Sequence, residues 1–308
     1  MTGLAQHGVA YLAMRRALGF KLRGHDRLLE DFVDYLDHNG AVTITAGAAL
    51  AWATQPTGIE PVRWAQRLSA VRGFARYVHA VDPNVEVPPV DLLPYRRQRR
   101  VPYLYCQPDI DRLVEAAGSL KPALRAATHQ AFFALLAVTG MRIGEAIHLD
   151  CGDVDLHAGL LDIRDAKFRK HRCLPLHPSS VAALRGYTEV RDRLCPTPKA
   201  PAFFVSTRGT RLQDVCVHAV FNSLVDGVGL ATQPGTDRPR IHGMRHSFAV
   251  ATLRDWYRSG ADVASKLPVL SAYLGHGHPT STYWYLQACP ELLGLAAERL
   301  ERHEAGSR

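Results

Sequence analysis

The chain has 308 residues, 47% apolar and 21% charged, with a formal net charge of +8. Its length and apolar content predict a globular protein with a sizeable core in two domains. No window approaches about 18 uninterrupted apolar residues and no long apolar core opens the chain, against membrane insertion and secretion, so a cytoplasmic protein is expected. Six cysteines, Cys106, Cys151, Cys173, Cys195, Cys216 and Cys289, include no CxxC pair, which disfavours a zinc ribbon or a dense disulfide framework and predicts free thiols.

Apolar periodicity predicts four helices in the first 88 residues, over 2–19, 25–39, 46–54 and 62–81, and no strand. In the last of these, Val62, Trp64, Leu68, Val71, Phe74, Ala75 and Val78 share one sector, flanked by Arg63 and Arg67 on one edge and Arg72 and Arg76 on the other. Those arginines are candidates for phosphate contact, or simply solvated flanks of a packed helix. Residues 89–105 are rich in proline and carry Arg96, Arg97, Arg99 and Arg100, which suits an extended basic linker able to track a phosphate backbone. The excess of positive charge falls in both halves, and charge alone does not require nucleic acid.

From 106 to 308 a second domain is expected. Helices are predicted over 108–117 and 122–138, then a short helix after a glycine turn in TGMRIGEAIHLD. Strand-like segments at 160–163 and 173–176 flank a basic turn, forming a hairpin or part of a three-stranded sheet. Further helices are predicted over 179–193, 215–228, 243–259, 261–274 and 291–303.

Four segments of this domain concentrate basic and protic residues where helices begin or turns end. Arg142 follows the glycine turn of TGMRIGEA, where its guanidinium can enter a cleft or simply pair Glu145 or a carbonyl. Lys167 sits in the basic turn of DAKFRKHR, with Lys170 beside it. His242 and Arg245 of HGMRH are three apart and share a helical face, a spacing that also suits a capping histidine. His276 lies nine residues before Tyr285 in LGHGHPTSTYWYL, whose Tyr283, Trp284 and Tyr285 can equally pack a core.

The order Arg142, Lys167, His242 with Arg245, His276 and Tyr285, together with the flanking TGMRIGEA, RCLPL, HGMRHSFA and LGHGHPTSTYWYL, resembles the tyrosine recombinase (phage integrase) family over about residues 106 to 290. Its wording is closer to transposon- or plasmid-borne integrases than to the Xer resolvases. The resemblance implies a mainly α fold with a small β-sheet (α+β). A helical, SAM-like core-binding domain and the catalytic domain would close as a C-shaped clamp on double-stranded DNA bearing an inverted-repeat site. It also implies a site-specific recombinase that integrates, excises or resolves a mobile element. Tyr285 becomes a 3′-phosphotyrosine, Arg142 and Arg245 stabilise the phosphorane, and Lys167 protonates the leaving 5′ oxygen. His242 assists deprotonation and His276 hydrogen-bonds the phosphate. By family alignment Lys167 is favoured over Lys170 and Tyr285 over Tyr283. No acidic metal-binding grouping and no phosphate-cradling GxxxxGK[ST] loop is present, so neither metal nor other cofactor is expected. The C-terminal helix carries Leu292, Leu293, Leu295 and Leu300. It packs in cis or, as the family implies, on a neighbouring protomer of a tetramer, with other recombinases as further partners. The rival readings are a catalytically inactive DNA-binding regulator of the same fold and a type IB topoisomerase-like enzyme.

Overall fold

A computed structural model describes residues 3–20, 22, 24–94, 101–166, 170–232, 236–276, 278, 282–283, 285 and 289–306. The chain forms two compact units, Met1–Arg99 and Arg100–Arg308.

The first unit holds α1 (Gly3–Ala17), α2 (His25–His38), α3 (Ala46–Thr54) and α4 (Pro61–His79). Spacing explains α2: Leu29, Phe32, Val33 and Leu36 recur at three and four residues and are all buried. Thr45 caps α3 by accepting from Ala48 N at 3.1 Å, and Pro61 starts α4 where a missing N–H costs nothing. Leu68, Val71, Phe74, Ala75 and Val78 of α4 meet Phe32 and Trp52 in one core.

The arginines that flank this apolar face have unlike fates. Arg63 and Arg76 are exposed. Arg67 lies over the Trp52 ring at 3.9 Å and pairs Asp31 at 3.1 Å. Arg72 is 9% exposed, and its guanidinium donates to the carbonyls of Pro88 (2.8 Å), Pro89 (2.7 Å) and Val90 (3.3 Å). This corrects the expectation that Arg72 faces DNA: its donors satisfy carbonyls that proline-rich backbone cannot pair with itself. The segment expected as linker, 89–105, is therefore tied in at its start. It is tied in at its end as well, where Tyr103 and Tyr105 are buried in the second unit. Arg96, Arg97, Arg99 and Arg100 lie outside the described residues.

The second unit is mainly helical: α5 (Gln107–Gly118), α6 (Ala123–Thr139), α7 (Ile143–His148), α8 (Pro178–Leu194), α9 (Asp214–Gly227), α10 (Ile241–Arg258), α11 (Val263–Leu274) and α12 (Pro290–Gly306). Between α7 and α8 lies a three-stranded antiparallel sheet of β1 (Val154–Asp155), β2 (Leu160–Ala166) and β3 (Lys170–Pro175), in spatial order β1-β2-β3. The register sets Leu161 opposite Leu174 and Ile163 opposite Arg172. Leu161, Ile163 and Leu174 are buried, and the two-residue period places Arg172 on their inner face. An edge-to-face aromatic set of Phe132, Phe133, Phe204 and Phe221 fills the core beneath. All six cysteines are free. Among the described residues no helix is long and apolar enough to cross a membrane.

In this single chain α12 packs on α10: Leu292 is fully buried with Leu253, Leu267 and Leu270, and Glu291 pairs Arg258 at 2.9 Å.

Candidate active site

Arg142 is placed by two helix ends. α6 stops at Gly140 in the left-handed conformation (φ 59°), Met141 is buried, and Arg142 becomes the N-cap of α7. Glu145 closes the cap by accepting from Arg142 N at 2.8 Å, and its other oxygen accepts from Arg142 Nη1 at 2.8 Å. Arg142 Nη2 donates to Gly275 O at 2.8 Å. The plainer reading of Arg142, a partner for Glu145 and a carbonyl, thus holds alongside its place in the cluster.

α10 begins at Ile241, so His242 and Arg245 occupy its first turn. Arg245 is 2% exposed and donates to Gly140 O at 2.8 Å and Leu274 O at 2.7 Å. Arg245 therefore rests on the carbonyl ends of α6 and α11 and Arg142 on that of α11, where the helix dipoles favour cations. The α10 start is held from below. Tyr105 N donates to Ser247 Oγ at 2.7 Å, and Tyr105 Oη donates to Arg240 O at 3.0 Å. A Cβ on Gly243 would fall 2.9 Å from Tyr103 O and 2.7 Å from the Tyr105 ring, so only glycine lets that strand of backbone pass.

α11 ends at Gly275, again left-handed at φ 67°, and turns the chain into His276. His276 Nδ1 lies 2.7 Å from the hydroxyl of the buried Thr282. Tyr285 is 2% exposed, whereas Tyr283 is 51% exposed. The Tyr285 ring stacks with His276 at 6.0 Å and meets His246 edge-on at 5.4 Å, while His246 meets His242 at 4.6 Å. The Arg245 guanidinium lies beside the phenol and favours its ionised form.

The structure therefore brings together five of the six expected residues, Arg142, His242, Arg245, His276 and Tyr285; Lys167 lies outside the described residues. It adds three that the sequence reading did not enlist: Arg172, His246 and Thr282. His246 carries a signal, being four residues after His242 and so on the same helical face. Arg172 shares the inner face of β3 with Leu174, but nothing local names its partner.

Electrostatically this is a cationic pocket with neutral imidazoles. Burial, then the neighbouring arginines, push His242 and His276 down to about 4. Burial, then His242, push His246 down to about 3. Burial and Arg142 lower Arg245 to about 10, leaving it charged at neutral pH. Burial raises the Tyr285 phenol, with Arg245 and Arg142 pulling the other way. Such a pocket suits an anion with several acceptor oxygens. Among the described residues no group of three or more His, Cys, Asp or Glu is placed to hold a metal ion.

A model of the phage integrase family matches residues 107–291, more than half of the chain. The chain belongs to the phage integrase family. The sequence resemblance is thereby borne out, and with it the class of enzyme, a tyrosine recombinase/integrase. Protein y4rB of Sinorhizobium fredii, named an integrase/recombinase, is 45% identical over 298 residues, covering 95% of each chain. Tyrosine recombinase XerC of Pelotomaculum thermopropionicum is 29% identical over 247 residues, covering 78% of this chain and 74% of its own. The fold matches that of the Tn1549 transposon integrase solved with transposon right end DNA, at TM-score 0.65 and 17% identity, covering 98% and 99% of the two chains.

Proposed function

We propose that this integrase-family chain is a site-specific recombinase that breaks and rejoins double-stranded DNA through a 3′-phosphotyrosyl bond at Tyr285, in the service of a mobile element in the cytoplasm. One observation carries the reading: three separate segments deliver Arg142, His242 with Arg245, and His276 with Tyr285 to one cationic cluster, with the phenol ring against His246 and His276.

Arg142 and Arg245 hold the nonbridging oxygens of the scissile phosphate, where negative charge grows as the phosphorane forms. The phenol oxygen attacks phosphorus, its proton passes toward His242, and the 5′ oxygen leaves with a proton from Lys167. Rejoining reverses these steps, so bond energy is kept in the protein–DNA ester. In the free pocket the phenol holds its proton tightly and His242 is a weak base, so deprotonation does not run ahead of attack. An anionic phosphate raises the imidazoles toward function by offsetting the arginines. If the Thr282 hydroxyl donates to Nδ1 of His276, Nε2 carries a proton for a phosphate oxygen. No metal ion enters these steps. On the first unit, exposed Arg63 and Arg76 contact backbone phosphates, and Arg96, Arg97, Arg99 and Arg100 contribute further phosphate contacts.

The test is covalent trapping on nicked duplexes built from inverted repeats that flank the encoding gene. Wild type and Tyr283→Phe are expected to form an adduct and Tyr285→Phe none. An adduct with Tyr285→Phe refutes the nucleophile; binding without any adduct in wild type supports a catalytically inactive regulator instead.

A further inference from the structure

The negative charge of Glu145 stands in an awkward place. Its carboxylate is 7% exposed and sits directly on Arg142. A lone Arg142–Glu145 pair would be neutral, and an incoming phosphate would be repelled by the carboxylate nearly as much as it is attracted by the guanidinium. A second guanidinium alters that balance. Arg172, 10% exposed on the inner face of β3, donates Nη1 to Glu145 Oε1 at 3.1 Å and Nη2 to Glu145 Oε2 at 2.7 Å. Its Nε donates to Tyr273 O at 2.9 Å, in the last turn of α11 that leads to His276. Arg142 and Arg172 lie against the same glycine: a Cβ on Gly275 would fall 2.6 Å from Arg172 Nη1 and 3.3 Å from Arg142 Nη1. Glu145 thus accepts four hydrogen bonds from two arginines, and the trio carries one net positive charge.

We propose that Arg172 is a positioning residue for the phosphate site, taking up the charge of Glu145 so that Arg142 keeps an uncompensated positive charge toward the scissile phosphate. The proposal rests on Arg142 being a phosphate ligand. Arg172 itself touches Glu145 and the α11 end, not the phosphate, and acts through Arg142.

The experiment compares wild type, Arg172→Gln, Arg172→Lys and the double variant Glu145→Gln/Arg172→Gln. The first readout is adduct formation on a nicked substrate whose scissile position is either a normal phosphate or an uncharged methylphosphonate. The second is binding of inorganic phosphate to the DNA-free protein, followed by 31P NMR. Arg172→Gln is expected to slow adduct formation about 10- to 100-fold on phosphate, as for outer partners that orient a site's ligands. It should do so much less on methylphosphonate and should weaken phosphate binding. The double variant, which restores the net charge, recovers most of both losses, and Arg172→Lys lies between wild type and Arg172→Gln. Equal losses on the two substrates, with the double variant worse than the single, overturn the proposal and leave Arg172 as packing. If Arg172→Gln does not fold, Arg172→Lys and the double variant decide by the same comparisons. Should wild type form no adduct on any substrate, the recombinase reading fails by itself. The phosphate titration then still decides the charge role, and unchanged affinity in Arg172→Gln overturns it.

Discussion

Arg245 shows how little freedom a residue in this pocket has. Its planar fork reaches two carbonyls at once beside the Tyr285 phenol, which a lysine ammonium on a flexible stem cannot reproduce. Arg245→Lys is expected to retain the fold and lose about 10²- to 10³-fold in single-turnover adduct formation, the scale seen when one charge-stabilising donor is removed. The histidines yield a prediction about acid. The unfolded chain binds protons at these positions near pH 6.5, whereas the folded chain holds His242 and His276 neutral down to about 4 and His246 to about 3. Folding therefore excludes protons, and stability falls as pH drops from about 6.5 into that range. Melting temperatures at pH 7.0, 5.5 and 4.5 should decline, and His246→Phe should flatten the decline. An unaltered slope in that variant would mean His246 does not carry the effect.

At the scale of elements, helices were legible because their apolar stripes are local: α2, α3 and α4 fall within two residues of the periodicity reading, and the sheet lies where alternating apolar residues flank a basic turn. The site residues at helix starts and turns were legible as motifs for the same reason. What the sequence concealed depends on distant partners. Arg172 meets Glu145 across 27 residues and Tyr105 meets Ser247 across 142. Arg72 looked like one more basic flank, yet the proline carbonyls it satisfies lie 16 and 17 residues on. Arg72→Met is accordingly expected to cost about 1–3 kcal/mol of stability in denaturant unfolding through unsatisfied buried carbonyls. Arg63→Ala and Arg76→Ala should leave stability unchanged and instead reduce the salt slope of DNA binding by about one each. Gly243→Ala drives a methyl into Tyr103 O and the Tyr105 ring and is expected to lower both stability, by about 1–3 kcal/mol, and adduct formation. A variant with wild-type melting and activity would show that the α10 start moves freely.

For the molecule as a whole, α12 occupies an apolar groove on its own chain, burying Leu292 and closing the cluster that contains Tyr285. A chain cut after Ala288 should melt at lower temperature, and if the helix docks on a neighbouring protomer when DNA is bound, it should also fail in synapsis while still binding a half-site. Synapsis and strand exchange undiminished by that cut would dismiss the exchange of helices. The two arginines of the pocket carry a different consequence for the family's variability. Their carbonyl anchors at Gly140, Leu274 and Gly275 belong to the backbone, so no side-chain replacement there deletes an acceptor outright. Leu274 can drift to other apolar residues with the guanidinium contacts intact. Gly275 cannot, since its left-handed turn and the crowding of Arg172 both exclude a side chain. A saturation library across 274 and 275 should therefore accept apolar residues at the buried first position and little but glycine at the second, although neither side chain touches DNA chemistry in the proposed mechanism.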